Sequence, residues 1–102
     1  MSRLLTDEEI TRQLADLPDW SRDGATLRAS YEAPDFLAGI RLVQEVALLA
    51  ESMDHHPDID IRWRTVSFAL STHSEGGLTQ LDVELAHEIA AEATRVRATP
   101  AG

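Results

Sequence analysis

A broad stripe of apolar residues near the middle of the chain sets the strongest constraint on its fold. Apolar side chains recur at helical spacing through residues 36–50: Phe36, Ile40, Val43, Ala47 and Ala50, widened by Leu37, Leu42, Val46 and Leu49. Pro34 suits the first turn of this helix, and Pro57 ends it after about Met53. A stripe this wide predicts a helix buried on more than one side, lying across a sheet or at a subunit contact.

The segments on both sides of this helix have the period-two pattern of β-strands. Before it, Asp23-Gly24 predicts a hairpin, followed by a strand whose apolar face is made by Leu27, Ala29 and Tyr31. After it, two phases follow one another: Ile59, Ile61 and Trp63, then Val66, Phe68 and Leu70. The change of phase predicts two strands joined around Arg64-Thr65, with one bent strand as the alternative.

Capping boxes mark the two outer helices. They read Thr6-Asp7-Glu8-Glu9, before a helix that should stop near Asp16, and Thr79-Gln80-Leu81-Asp82. We expect the tail from Thr99 onward to be frayed. The element order is therefore α-β-β-α-β-β-α. Hairpins separated by helices predict an α+β fold, an antiparallel sheet with helices on one face, in a single domain over residues 1–102.

The charge balance bears on the partner. The chain has eighteen acidic residues, nine arginines and no lysine, which gives a formal net charge of −9. Such a chain repels a phosphate backbone, which argues against nucleic acid and favours a neutral small molecule or another protein. The absence of cysteine excludes disulfides and thiolate metal sites. We expect a cytoplasmic protein, because no signal peptide and no membrane-spanning stretch is found.

Three of the four histidines lie within residues 51–82, and they suggest the chemistry. His55 and His56 follow a helix end and His73 follows a strand end, so the fold can bring them together. Three interpretations are open: ordinary surface or capping histidines, a zinc site, or acid–base catalysis. The zinc site lacks the spacing that places two ligands on one helical face. For catalysis, Glu51 and Asp82 would orient the imidazoles, although Asp82 is also expected to cap a helix.

These residues resemble the pterin-4a-carbinolamine dehydratase family, which includes the dimerisation cofactor of a vertebrate homeodomain factor. The family pattern is an acid, three residues, His-His-Pro, a short gap, an aromatic, nine residues, a histidine and a spaced aspartate. The matching residues are Glu51, His55-His56-Pro57, Trp63, His73 and Asp82. Trp20 stands where the family has a tryptophan, and from the residues alone it is either a core side chain or a wall that stacks on a ligand. Ser52 and Trp63 replace a commoner lysine and tyrosine.

The resemblance implies a four-stranded antiparallel sheet with three helices on one side, assembled as a homodimer or homotetramer. The implied reaction is loss of water from 4a-hydroxytetrahydropterin to give quinonoid dihydropterin, which supports tetrahydropterin turnover for aromatic amino acid hydroxylases. It requires no metal or redox cofactor. The implied acid–base pair is His55 and His73, with His56 binding the pterin. Supporting or substrate-binding roles fall to four further residues, Glu51, Asp82, Trp20 and Pro57.

Two alternatives to this function stay open. Relatives that act as a dimerisation cofactor or an assembly chaperone suggest a binding module without catalysis. A role in another pterin pathway, such as molybdenum cofactor metabolism, is the third possibility.

Overall fold

The structure, a computed structural model, describes residues 3–101. Its helices are α1 (Asp7–Leu14), α2 (Phe36–Met53) and α3 (Gln80–Arg95). Its strands are β1 (Ser21–Asp23), β2 (Thr26–Glu32), β3 (Asp58–Arg62), β4 (Thr65–Leu70) and β5 (Thr99–Pro100). A short 3-10 helix spans His73–Glu75. Both predicted capping boxes are present, at Thr6 with Glu9 and at Thr79 with Asp82.

The sheet is antiparallel, in the order β1-β2-β4-β3, and β5 pairs with β2. The α+β class with three helices is confirmed. The expectation of four strands is wrong, because the sheet has five. The order α-β-β-α-β-β-α was therefore incomplete, since a fifth strand follows α3.

The fifth strand comes from the tail that was expected to fray. After α3 the chain reverses through Arg97, which has a φ of 63°, and β5 then lies beside Tyr31 and Glu32 of β2. The amide of Ala101 donates to the carbonyl of Ser30 at 2.9 Å. Pro100 is tolerated because an edge strand leaves some amide positions unpaired. Residues 99–101 of the tail are thus ordered by an edge of β2 that the short β1 does not cover, and Gly102 lies outside the described residues.

The core lies between the two central strands and the helices. Pairing of β2 with β4 sets Leu27 opposite Leu70, Ala29 opposite Phe68 and Tyr31 opposite Val66, and all six are buried. They pack with buried residues of α2 and α3, among them Leu42, Val46, Leu85 and Ile89. Helix α2 approaches β4 closely at Gly39, where an added Cβ would lie 3.4 Å from Val66. Only part of the predicted stripe of α2 is buried, at Leu42, Val46 and Ala50. Phe36, Leu37 and Ala47 of the same stripe are exposed, so the stripe is wider than the face that contacts the core.

The β3–β4 hairpin turns at Trp63-Arg64, one residue before the predicted junction. Trp63 adopts a φ of 52° there, and its side chain is 72% exposed. The period-two pattern placed Trp63 in the strand because its side chain keeps the phase of Ile59 and Ile61. Two separate strands, rather than one bent strand, is the correct alternative.

Within residues 3–101, no helix combines the length and the apolar character that crossing a bilayer requires.

Candidate functional site

The end of α2 directs His55 towards the interior. Asp54 adopts a left-handed conformation with a φ of 49°, and the amide of His55 donates back to the carbonyl of Ala50 at 3.0 Å. This is the usual way for a helix to satisfy its last carbonyls. Pro57 then prevents the helix from resuming, and β3 begins at Asp58. The main chain at His55 is consequently fixed on both sides, and the residue is only 8% exposed.

His55 pairs with Asp82 inside the protein. The His55 Nε2 atom lies 2.6 Å from the Asp82 Oδ1 atom, and Asp82 is fully buried. A buried carboxylate is costly unless its oxygens are hydrogen-bonded. Here the second oxygen, Oδ2, accepts from the Thr72 hydroxyl at 2.7 Å and from the Thr79 amide at 2.9 Å. Asp82 is therefore a fully engaged acceptor that can hold an imidazole in one orientation.

Asp82 reaches this position because it belongs to the capping box of α3. The Thr79 amide that donates to its Oδ2 atom is the N-cap amide, and the Thr79 side chain caps the same helix end. The positive end of the helix dipole also favours a carboxylate there. Thus the predicted cap and the predicted support of a histidine are one and the same carboxylate.

His56 and Glu51 form a second pair, at the surface. The His56 Nε2 atom lies 2.5 Å from the Glu51 Oε2 atom, and both side chains are exposed. Glu51 is in the last turn of α2 and His56 follows the helix end, so the pair lies across the turn that also fixes His55. The two adjacent histidines therefore have different environments, one buried and one open to solvent.

His73 begins the short 3-10 helix after β4, in a loop that is closed at its base. Thr72 bridges to Gly77, with the Thr72 amide donating to the Gly77 carbonyl at 2.9 Å, and Gly76 completes the turn with a φ of 73°. The His73 side chain is exposed and lines a cavity of about 260 Å³. Other residues of that cavity include Ser71, Asp58, Asp60 and Arg28.

The structure thus brings some of the predicted residues together and leaves others apart. It joins His55 to Asp82 and His56 to Glu51, while the His73 side chain is hydrogen-bonded to none of these four residues. The chain neighbour of His73, Thr72, provides the link, because its hydroxyl reaches Asp82. In the part of the chain described, no group of three or more His, Asp or Glu side chains is arranged to hold a metal ion.

Trp20 and Pro57 are packed against other parts of the protein. Trp20 is 5% exposed and belongs to the core cluster, and its indole nitrogen has no hydrogen-bond acceptor among residues 3–101. This is the core position that was one of its two interpretations. Pro57 is half-buried, between His56 and the first residue of β3.

Sequence reasoning missed the hydroxyls of Thr72 and Thr79 as part of the site. Thr79 was identified only as a helix cap, and Thr72 was not singled out. Both are buried, at 5% and 0% exposure. The available signal was a threonine directly before His73, seven residues ahead of the capping threonine.

Comparisons with known proteins identify the family. Residues 3–92 match the sequence profile of the family described as Pterin 4 alpha carbinolamine dehydratase. A protein of Mycobacterium avium (strain 104), provisionally named a pterin-4-alpha-carbinolamine dehydratase, is 60% identical over 86 residues, covering 84% of this chain and 92% of that protein. A Nocardia farcinica protein with the same provisional name is 56% identical over 88 residues, covering 86% of this chain and 93% of its own length.

Solved structures give the same result. A Brucella melitensis protein described as a transcriptional coactivator/pterin dehydratase has a TM-score of 0.85 and 33% identity, covering 87% of this chain and 97% of that one. A pterin dehydratase-like protein described as a RuBisCO assembly factor of the alpha-carboxysome has a TM-score of 0.60 at 17% identity, over 72% and 86% of the two chains, which shows a shared fold. The chain therefore belongs to the pterin-4a-carbinolamine dehydratase family, as its histidine motif indicated.

Proposed function

We propose that this chain catalyses the loss of water from a 4a-hydroxytetrahydropterin, giving the quinonoid dihydropterin. The single observation that carries the proposal is membership of the dehydratase family over residues 3–92. The Brucella structure and the Mycobacterium and Nocardia relatives carry the same activity in their names. We further propose that the product feeds turnover of the tetrahydropterin used by aromatic amino acid hydroxylases.

The reaction is a pair of proton transfers around one bond cleavage. The 4a-hydroxyl gains a proton and leaves as water when its bond to C4a breaks. The lone pair on N5 then forms the double bond to C4a, and the proton on N5 passes to a base. No electrons enter or leave, so groups that exchange protons near neutral pH are sufficient for the chemistry.

His55 and His73 are the proposed acid–base pair. His55 has the support that a general acid or base needs, since the Asp82 carboxylate holds its Nε2 atom at 2.6 Å. His73 lines the cavity of about 260 Å³ and has an exposed ring that a ligand can reach.

The remaining site residues have proposed binding and supporting roles. His56 binds and polarises the pterin, and Glu51 supports its ring from 2.5 Å. Asp82 supports His55. Trp20 has a supporting role from within the core, and Pro57 fixes the path of the chain from the histidine pair into β3.

The test is a dehydration assay with 4a-hydroxytetrahydropterin on the wild-type protein and on single alanine variants. Loss of a positioned acid or base lowers rates by about 10²- to 10⁴-fold, and we expect His55→Ala and His73→Ala to lower kcat within that range. The uncatalysed rate is subtracted in each assay, and circular dichroism confirms that each variant is folded.

His87 offers a matched control. It is an exposed histidine in the middle of α3, away from the predicted site, so His87→Ala should leave kcat unchanged. Full activity in either His55→Ala or His73→Ala would contradict the assigned pair. A wild-type protein no faster than the uncatalysed reaction would contradict the function itself.

We also propose that the protein assembles as a homodimer or homotetramer. Large apolar side chains are exposed on α2, at Phe36, Leu37 and Leu48, and along the edge strand β3, at Ile59 and Ile61. The outer edge of β3 pairs with no other strand among residues 3–101, and unpaired edges readily accept a further strand. Both features suit association of identical chains.

A protein-binding role is a second candidate. It is favoured by the Brucella structure, which is described as a coactivator as well as a pterin dehydratase. The exposed Trp63 at the tip of the β3–β4 hairpin offers a contact surface. A stoichiometric protein complex that survives replacement of His55, His56 and His73 together would support this role.

A further inference from the structure

The buried hydroxyls of Thr72 and Thr79 form a hydrogen-bonded chain that ends on Asp82. The Thr79 and Thr72 Oγ1 atoms lie 2.8 Å apart, and the Thr72 Oγ1 atom lies 2.7 Å from Asp82 Oδ2. The Leu81 amide donates to the Thr79 hydroxyl oxygen at 3.3 Å. All three side chains, those of Thr72, Thr79 and Asp82, are at most 5% exposed.

The direction of every bond in this chain follows from counting protons. A carboxylate only accepts, so the single hydroxyl proton of Thr72 must point to Asp82. Thr72 has no second proton, and Thr79 must therefore be the donor between the two hydroxyls. The Thr79 oxygen is then free to accept from the Leu81 amide, which can only donate. One arrangement of donors satisfies all these groups.

This arrangement leaves Asp82 one oxygen for His55. Its Oδ2 atom receives two donors, the Thr72 hydroxyl and the Thr79 amide, which fill the two lone pairs of that oxygen. Its Oδ1 atom faces the His55 Nε2 atom at 2.6 Å. Because the carboxylate is held at Oδ2 from two sides, it cannot rotate to offer His55 another geometry.

We propose that Thr72, backed by Thr79, is a positioning residue that fixes His55 as the Nε2–H tautomer. The proton on Nε2 stays on Asp82's side, and His55 exchanges protons with substrate through Nδ1 alone. The Nδ1 atom has no hydrogen-bond partner among the described residues, so no protein group competes for its lone pair. This inference rests on the proposed role of His55 in dehydration, but the tautomer itself is a property of the free protein.

The tautomer is measured first in the wild-type protein without substrate. Nitrogen-15 NMR of the imidazole side chains separates a protonated ring nitrogen from an unprotonated one, and His55→Gln identifies the His55 signals. At a pH where the ring is neutral, we expect a single tautomer with the proton on Nε2. A His55 ring protonated on Nδ1, or a mixture of the two forms, would overturn the proposal without any variant at Thr72.

Variants at Thr72 then test the hydroxyl. Thr72→Val keeps the shape and removes the donor, so we expect a mixed tautomer at His55. We expect kcat to fall by about ten- to hundred-fold, the range found for hydrogen-bond partners of metal-bound histidines. KM should stay near the wild-type value, because the Thr72 hydroxyl is buried and bonded to other protein groups. Thr72→Ser restores a hydroxyl and should recover both the single tautomer and most of kcat.

Thr94 provides the matched control. Its hydroxyl donates to the Ala90 carbonyl at 3.2 Å on the exposed side of α3. Thr94→Val therefore loses a hydroxyl bond that is not part of the network of Thr72, Thr79 and Asp82. It should change neither the NMR signals nor kcat. A folded Thr72→Val protein with the wild-type tautomer, or a Thr72→Ser protein that resembles Thr72→Val, would refute the role of the hydroxyl. A wild-type protein without dehydratase activity would leave the NMR result standing, so the two proposals fail separately.

Discussion

At the scale of single residues, Tyr31 shows how burial controls a proton. Its ring packs edge-on against Phe68 with the centroids 6.4 Å apart, and its hydroxyl donates to Asp19 at 3.2 Å. Burial raises the pKa of Tyr31 above its usual value of 10.0, with the nearby Asp19 charge as the second cause. The phenol is therefore neutral in the folded protein at pH values where an unfolded chain would ionise it.

This difference predicts a loss of stability in alkali. Because the pKa of Tyr31 is raised in the folded state, its contribution to the free energy of unfolding is complete below pH 10. That contribution declines as the pH rises above 10. Above pH 10 the free energy of unfolding should fall with a slope that approaches about 1.4 kcal/mol per pH unit, the value for release of one proton. Urea unfolding at several pH values from 9 to 11, on the wild type and on Tyr31→Phe, measures it.

The composition makes this test clean. The chain has one tyrosine and no lysine or cysteine, so few other groups titrate in that range. Tyr31→Phe should abolish the alkaline slope. A variant that keeps the slope would assign it to another group.

At the scale of elements, the covered edge of β2 explains the order of the C-terminal segment. Strand β1 pairs only with residues 26–28 of β2, and β5 pairs with residues 31 and 32. The same side of β2 is thus shared by two short strands. An uncovered strand edge is a site for unwanted pairing, so β5 also protects the sheet.

The bond from Ala101 to Ser30 should have a measurable effect on stability. Ala101→Pro removes the amide that donates to the Ser30 carbonyl at 2.9 Å, whereas Ala101→Ser keeps it. We expect the proline variant to lower the free energy of unfolding by about 1 kcal/mol, the usual net value of one hydrogen bond. Urea unfolding of the three proteins decides it, and equal stability of the proline and serine variants would mean that β5 contributes no such bond.

The helices and hairpins were predictable from sequence because their signals are local. Capping boxes at Thr6 and Thr79, the Asp23-Gly24 turn and the apolar stripe of α2 each depend on neighbouring residues only. The tail was not predictable, because Thr99-Pro100 has no strand pattern and is ordered only by an edge of β2 distant in sequence. Trp63 was predicted within a strand but lies in the turn directly after it, because alternation does not show where a hairpin reverses.

The candidate site divides in the same way. Its histidines and carboxylates followed from the motif, and the structure places His55 beside Asp82. The role of Thr72 depends on the end of β4 meeting the start of α3, a contact between elements that no local pattern contains. The expected approach of His73 to the other histidines also depends on how distant elements meet, and it stays a prediction.

At the scale of the whole molecule, the exposed face of α2 is the feature to test. Leu37 and Leu48 are eleven residues apart, three helical turns, and are 67% and 61% exposed on the same side of the helix. Apolar side chains in such a line are typical of a surface covered by another chain. If the proposed oligomer uses this face, two charges placed there should oppose it.

We expect Leu37→Glu combined with Leu48→Glu to weaken self-association. Each leucine is worth about 1.5–3 kcal/mol when it is fully buried, so the dissociation constant should rise at least about ten-fold. Sedimentation equilibrium of the wild type and the double variant measures the change. Thr11→Glu, on the exposed side of α1, adds the same type of charge and should leave association unaltered. A wild-type protein that is monomeric at all concentrations would contradict the proposed oligomer.

The double use of Asp82 has a consequence for how this protein can change over generations. One carboxylate starts α3 and also holds His55, so a substitution there lowers stability and disturbs the site in a single step. His56 and His73 are exposed, and neither of them caps a helix. A lineage released from the need for catalysis would therefore be expected to drift first at those two positions and last at Asp82. In such a descendant, the retained aspartate would record the ancestral chemistry after the activity itself had disappeared.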